Sequence, residues 1–217
     1  MDPRHRRLAE IALEAAGSEH GLALAGGYAV RAHGMGDRPS GDVDLFTDWQ
    51  RRADFPAVAD LVINALTDNG FVVEVDARAE TFARLLVTPK DEPGSESQKV
   101  ELAADWRAHP PVTMSVGPVL HPDDAVSNKM AALYGRALAR DFLDINAVLV
   151  SGRYSSEQLL RLAEAADPGF DRAMFADVLG ALTQISDAAF APYGVDASTV
   201  QDLRRRFAAW QIELRQS

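Results

Sequence analysis

The hexapeptide Gly41–Phe46, GDVDLF, restricts this chain more than any other stretch. Its alternation reads as a β-strand, with Asp42 and Asp44 on one face and Val43 and Leu45 on the other. Two carboxylates projecting side by side repel each other and need compensation. A divalent cation supplies it, and Mg²⁺ in particular takes one or two carboxylates together with phosphate oxygens. Upstream, LALA reads as a short strand, Gly26-Gly27 as a turn and YAVRAHG as a short helix. A glycine pair opening a helix lets backbone N–H groups approach a phosphate, and the helix N-terminus adds positive potential. Strand, glycine turn, helix and acidic strand together bring a phosphate site toward two carboxylates.

The rest of the first half is also strand-rich. Pro3 suits the first turn of a helix over Leu8 to His20, with Leu8, Ile11, Ala12 and Ala15 as its buried stripe and Gly21 as its end. Asp54 is placed to cap a second helix from about Phe55 to Asn69, its stripe Val58, Leu61, Val62, Ala65 and Leu66. FVVEVD and FARLLV form a hairpin, PKDEPGSESQ a polar loop, and KVELAAD a further strand with Val100 and Leu102 on one face and Glu101 on the other. From Pro122 onward the period becomes helical: Val126, Met130, Leu133, Tyr134 and Ala137, then Phe142, Ile145, Val148 and Leu149. SSEQLLRLAEAA has a Ser cap and an early Glu. Helices over Asp171 to Leu182 and Ala197 to Leu214 follow, the last with Leu203, Phe207, Trp210 and Leu214 on one face as core. The expected boundary lies near Gly117 to Pro122.

Composition removes several kinds of chemistry. Cysteine is absent from the 217 residues, which excludes disulfides, zinc–thiolate centres and cysteine nucleophiles. The start MDPRHRRLAE is polar and basic, unlike a signal peptide, and no apolar run reaches the length of a membrane span. A cytoplasmic protein without a membrane partner is therefore expected. The formal net charge of −10 argues against broad, charge-driven nucleic-acid binding. The basic clusters Arg4 to Arg7 and Arg204 to Arg206 read as solvated helix faces. The five histidines occur singly, without metal-ligand spacing, and receive no role.

Further acidic residues of this half are Glu101, the first outward one on the strand after the hairpin, and Glu74, Asp76 and Asp105. A second constellation lies in SNKMAALYGRALARDFLDINAVL. Lys129 and Arg136 are two helical turns apart on one face, and Asp141 and Asp144 share a face of the next helix. One reading is an interhelical salt-bridge network. The other is a cationic pair on a triphosphate, with the acids orienting it.

Gly26, Gly27, Asp42 and Asp44, followed by Leu45-Phe46, resemble the signature of the DNA polymerase beta-like nucleotidyltransferase superfamily. With the Lys129 helix and the Arg-Asp-x-x-Asp run ending at Asp144, the order of motifs is similar to the AbiEii/AbiGii family of type IV toxin–antitoxin systems, which includes the MenT toxins. The resemblance extends from Gly26 to Asp144. It implies an α+β nucleotidyltransferase fold: a mixed β-sheet flanked by helices in residues 1–120, then a helical bundle in residues 121–217 that completes the active site. It also implies a third carboxylate on a neighbouring strand, best matched by Glu101 with Glu74, Asp76 and Asp105 as rivals, and Mg²⁺, or Mn²⁺, on Asp42, Asp44 and Glu101. Asp42, Asp44, Glu101, Lys129 and Asp141 become the expected catalytic residues. Gly26, Gly27, Arg38, Ser40, Lys129, Arg136 and Asp144 are expected to bind the nucleoside triphosphate. The implied reaction transfers a nucleotide to the 3′ end of tRNA, and the implied partner is a cognate antitoxin. Two alternatives stand beside it: a small-molecule or protein acceptor, favoured by the acidic net charge, and a non-catalytic nucleotide-binding protein, which the intact charged residues oppose.

Overall fold

The computed structural model describes residues 1–216. They divide into two units: residues 1–32 with 39–121, and residues 33–38 with the chain from Pro122 onward.

The first unit opens with α1 (Pro3–His20). The Asp2 carboxylate accepts the Arg4 N–H at 2.8 Å, and Gly21, at φ 69°, closes the helix by donating to the Ala16 carbonyl. Leu8, Ile11, Ala12, Leu13 and Ala16 are buried, so Ala16 takes the place expected of Ala15. Next come β1 (Ala23–Leu24), α2 (Gly26–Ala32) and β2 (Asp42–Asp48). A 3₁₀ turn over Trp49–Asp54 leads into α3 (Phe55–Asp68). The remaining strands are β3 (Phe71–Arg78), β4 (Phe82–Pro89), β5 (Gln98–Asp105), β6 (Val112–Met114) and β7 (Gly117–Val119).

These strands form one mixed sheet in the order β3-β4-β5-β2-β1-β7-β6. The β2–β5 and β1–β7 pairs are parallel and the others antiparallel. Val43, Leu45, Leu85, Val87, Val100 and Leu102 are buried, each contributing about 1.5–3 kcal/mol. The opposite face carries Asp42, Asp44, Arg84 and Glu101, as alternation demands.

Several expectations are corrected. Gly26 and Gly27 are the first residues of α2 rather than a separate turn, and β1 spans only two of the four LALA residues. The Asp54 side chain makes no cap; Asp48 instead caps the preceding 3₁₀ turn by accepting the Gln50 N–H at 2.9 Å. Leu61 is exposed and Ala59 is buried in its place. Strands β6 and β7 were not expected, since three-residue strands leave no measurable period.

The second unit is helical: α4 (Pro122–Arg136), α5 (Ala139–Val150), α6 (Ser156–Ala166), α7 (Arg172–Gly180) and α8 (Ala197–Gln216). Ser155 and Gln158 cap α6 reciprocally, so the capping partner is Gln158 and not the early Glu157. Leu203, Phe207 and Trp210 are buried as the spacing predicts. Phe207 meets Phe142 edge-on at 5.2 Å, and Trp210 meets Phe175 at 5.3 Å. Residues 33–38 group with these helices, although they precede β2 in sequence. Gly36 permits this: at φ 95°, an added Cβ would lie 2.7 Å from the Ala147 methyl. Among the described residues no helix is long and apolar enough to cross a membrane.

Candidate active site

In the first unit the parallel β2–β5 register sets the site. Asp42 lies opposite Lys99, and Asp44 opposite Glu101. Across the other edge of β5, Glu101 faces Arg84. One oxygen from each of Asp42, Asp44 and Glu101 therefore lies within 4.8 Å of the others. Glu101 is the carboxylate that joins the pair. Its rivals are elsewhere: Glu74 and Asp76 lie on β3, two strands from β5, and Asp105 pairs with Asp48 four residues further along.

Three carboxylates this close need counter-charge, and two cations supply part of it. Lys99 Nζ stands 3.1 Å from Asp42 and 3.6 Å from Glu101. Arg84 Nε donates to Glu101 at 2.9 Å and reaches Asp76 at 3.5 Å. Neither cation was singled out from sequence. Lys99 alternates onto the same strand face as Glu101, which was a usable signal; the register that sets it against Asp42 was not legible. Ser40 Oγ donates to Asp42 at 3.1 Å, so this residue orients a carboxylate.

Gly26 fixes the other side of Asp44. At φ 58°, an added Cβ would lie 1.7 Å from Asp44 Oδ2, so glycine is required for the carboxylate to occupy its place. The Ala25 N–H also donates to the Asp44 carbonyl at 2.8 Å, tying the start of α2 to β2. Behind α2, buried His5 bridges Tyr28 at 2.7 Å and Gln98 at 2.8 Å. Burial, with a smaller contribution from the nearby Asp42 charge, raises the Tyr28 hydroxyl pKa. His5 thus ties α1 to α2 and β5, a link that its isolated place in sequence did not reveal. The donor set of the triad fits a hard divalent cation: all ligands are oxygens, and their spacing is compact.

The second unit holds a cluster of opposite sign. Lys129 on α4 reaches Asp144 on α5 at 2.9 Å, and Arg38 donates to both Asp144 oxygens at 2.5 and 2.8 Å. The Arg38 guanidinium also lies over the Tyr193 ring, 5.5 Å from its centre. Asp144 and Lys129 are buried. Burial works to raise the Asp144 pKa, but the Arg38 hydrogen bonds and the Lys129 and Arg38 charges outweigh it, and the net shift is downward.

Arg136 and Asp141 are not part of that cluster. Fully buried Asp141 accepts two Arg136 nitrogens at 2.8 and 2.9 Å and the Leu138 N–H at 3.1 Å. This closes the α4–α5 corner, where Ala137 adopts φ 49°. For these two residues the geometry favours the salt-bridge reading. Arg140, beside Asp141, has a buried Nε without a hydrogen-bond partner.

Residues 7–212 match the protein family described as nucleotidyl transferase AbiEii toxin, type IV TA system. A search of the curated proteins finds no match. Three solved structures share the fold at low identity. JHP933 from Helicobacter pylori is 17% identical, with a TM-score of 0.56, covering 98% of this chain and 91% of that one. A further H. pylori structure, also 17% identical, reaches a TM-score of 0.59 over 98% and 96% of the two chains. MenT4, a nucleotidyltransferase toxin from Mycobacterium tuberculosis, is 20% identical, with a TM-score of 0.53 over 94% and 83%.

Proposed function

Because the chain belongs to the AbiEii family of nucleotidyltransferase toxins of type IV toxin–antitoxin systems, we propose that it transfers a nucleotide from a nucleoside triphosphate to the 3′ end of tRNA, with Mg²⁺ held by Asp42, Asp44 and Glu101. The observation that carries this is the triad itself: three carboxylates from two in-register parallel strands within 4.8 Å of each other. When bound, the metal would offset the triphosphate charge and favour the acceptor alkoxide, and Mn²⁺ has the same preference for these oxygens.

The chain's own residues do the rest. Asp42 and Asp44 present their oxygens from one strand face, held by Ser40 and by the space at Gly26. Glu101, oriented by its hydrogen bond from Arg84, would accept the hydroxyl proton of the acceptor. A new bond forms between the acceptor oxygen and the α-phosphorus, the α–β bridging P–O bond breaks, and pyrophosphate leaves. Gly26 and Gly27 offer backbone N–H groups at the start of α2 to the phosphates. Lys129 and Arg38 exceed Asp144 in charge, and their surplus suits the leaving pyrophosphate. That both units serve one reaction rests on the family's order of motifs. Membership also supports a cognate antitoxin as partner, and a reaction on tRNA with triphosphates would take place in the cytoplasm.

A second reading keeps the chemistry and changes the acceptor to a small molecule or a protein; the net charge of −10 favours it. Incubation of the purified chain and Mg²⁺ with total tRNA and each labelled triphosphate in turn separates the two. Labelled tRNA that is lost with Asp42→Ala or Asp44→Ala supports the proposal. Labelling of a protein or aminoglycoside but not of RNA moves the assignment to the second reading. If no triphosphate is consumed with any acceptor, the proposed reaction is wrong.

A further inference from the structure

We propose that Lys99 is the resident counter-ion of the acidic triad: its ammonium bridges Asp42 and Glu101 in the absence of metal, and it must withdraw before a divalent cation enters. Lys99 thereby sets the metal affinity of the site. The inference rests on the reading that the triad binds metal.

The backbone leaves Lys99 little choice of neighbours. Parallel pairing puts its Cα opposite Asp42, and alternation puts its side chain on the face of Glu101, two residues along. Its Nζ stands 3.1 Å from Asp42 and 3.6 Å from Glu101. Both carboxylates belong to the group that would ligate metal. An ammonium and a divalent cation therefore compete for the same two acids.

The two cations of the site differ in how firmly they are held. Arg84 is fixed between Glu101 and Asp76 and lies over the Phe82 ring at 5.6 Å. Its planar fork can stay on the outer side of Glu101 when the site fills. Among the described residues, Lys99 makes ion pairs only with the triad. Its ammonium is a point charge on a flexible four-carbon stem, without the ring contact and outer acid that hold Arg84. Lys99 is thus the group that can leave. Its presence lowers metal affinity twice: it relieves carboxylate repulsion in the empty site, and its charge repels the incoming cation.

Two responses of opposite sign follow from Lys99→Met, which keeps the stem and removes the charge. In EDTA the variant melts below the wild type, because the triad has lost a counter-ion. In a Mn²⁺ titration followed by electron paramagnetic resonance or calorimetry, it binds roughly three- to tenfold more tightly, the size expected of one part-exposed ion pair. Lys99→Arg, which keeps the charge, stays within about twofold of the wild type. A residue with a merely structural role would lose stability and affinity together. If the wild type binds Mn²⁺ and Lys99→Met binds it no more tightly, the counter-ion inference fails and the metal reading stands. If the wild type binds no Mn²⁺, both fail. Should Lys99→Met not fold, Lys99→Gln carries the same comparison.

Discussion

The two charged clusters of this chain are built with opposite excess. On the sheet, Asp42, Asp44 and Glu101 meet two cations, Lys99 and Arg84, and the side chains are part-exposed. Between the helices, one buried carboxylate, Asp144, meets two cations, Lys129 and Arg38. Among the side chains named, acids outnumber cations in the first and cations outnumber the acid in the second. A cluster short of cation and open to solvent is suited to a metal. A buried carboxylate with two cations is suited to holding those cations in place, and their surplus suits a phosphate. On the proposed reading the same residue type does different work: the sheet aspartates would present ligand atoms, and Asp144 would hold Lys129 and Arg38 in place for an anion.

Removing one carboxylate from each cluster should break the comparison most sharply. Asp144→Asn removes the charged partner of buried Lys129 and part-buried Arg38 and should lower stability by about 3–5 kcal/mol, read in chemical denaturation. Asp44→Asn should leave metal-free stability within about 1 kcal/mol of wild type, or raise it, because it relieves repulsion. The same Asp44→Asn should reduce nucleotide transfer by at least about 100-fold. A large loss of stability in Asp44→Asn with none in Asp144→Asn would invert the assignment.

Gly26→Ala tests the geometry around Asp44. The new methyl would overlap the carboxylate, and the φ of 58° adds strain of about 1–2 kcal/mol. Transfer should fall at least tenfold while the helical unit keeps its stability, as hydrogen exchange of α4 and α5 would report.

Acid unfolding separates the clusters more finely. Asp144 is ionised below its ordinary value of 3.8, so the stability its charge confers is complete above that pH. It is lost as pH falls through the lower folded-state value. Thermal melts between about pH 5 and pH 2 should therefore show a steeper decline for the wild type than for Asp144→Asn. The smallest effect is expected of Ser40→Ala, which removes one part-exposed hydrogen bond to Asp42 and should alter transfer by no more than about tenfold.

What could be read from sequence divides along similar lines. Alternation found β2, the β3–β4 hairpin and β5, and it placed Asp42, Asp44 and Glu101 on exposed faces. The 4-3-4 spacing found the core of α8. These are local signals, carried by neighbours in the chain. The partners that define each cluster are not local. Arg38 and Asp144 are 106 residues apart, and their pairing, with the seating of Gly36 against Ala147, ties residues 33–38 to the helices. Lys99 was visible as a residue on the face of Glu101, but its pairing depended on strand register. Asp141 looked like Asp144 in sequence because the two share a helix face; Arg136, just before the left-handed turn at Ala137, pairs with Asp141, while Lys129 pairs with Asp144.

Mn²⁺ binding to the purified chain, measured for the wild type, Asp44→Asn and Asp144→Asn in parallel, tests the assignment of the clusters most directly. The account predicts binding to the wild type and to folded Asp144→Asn, and its loss in Asp44→Asn. Equal binding to Asp44→Asn and the wild type would contradict it.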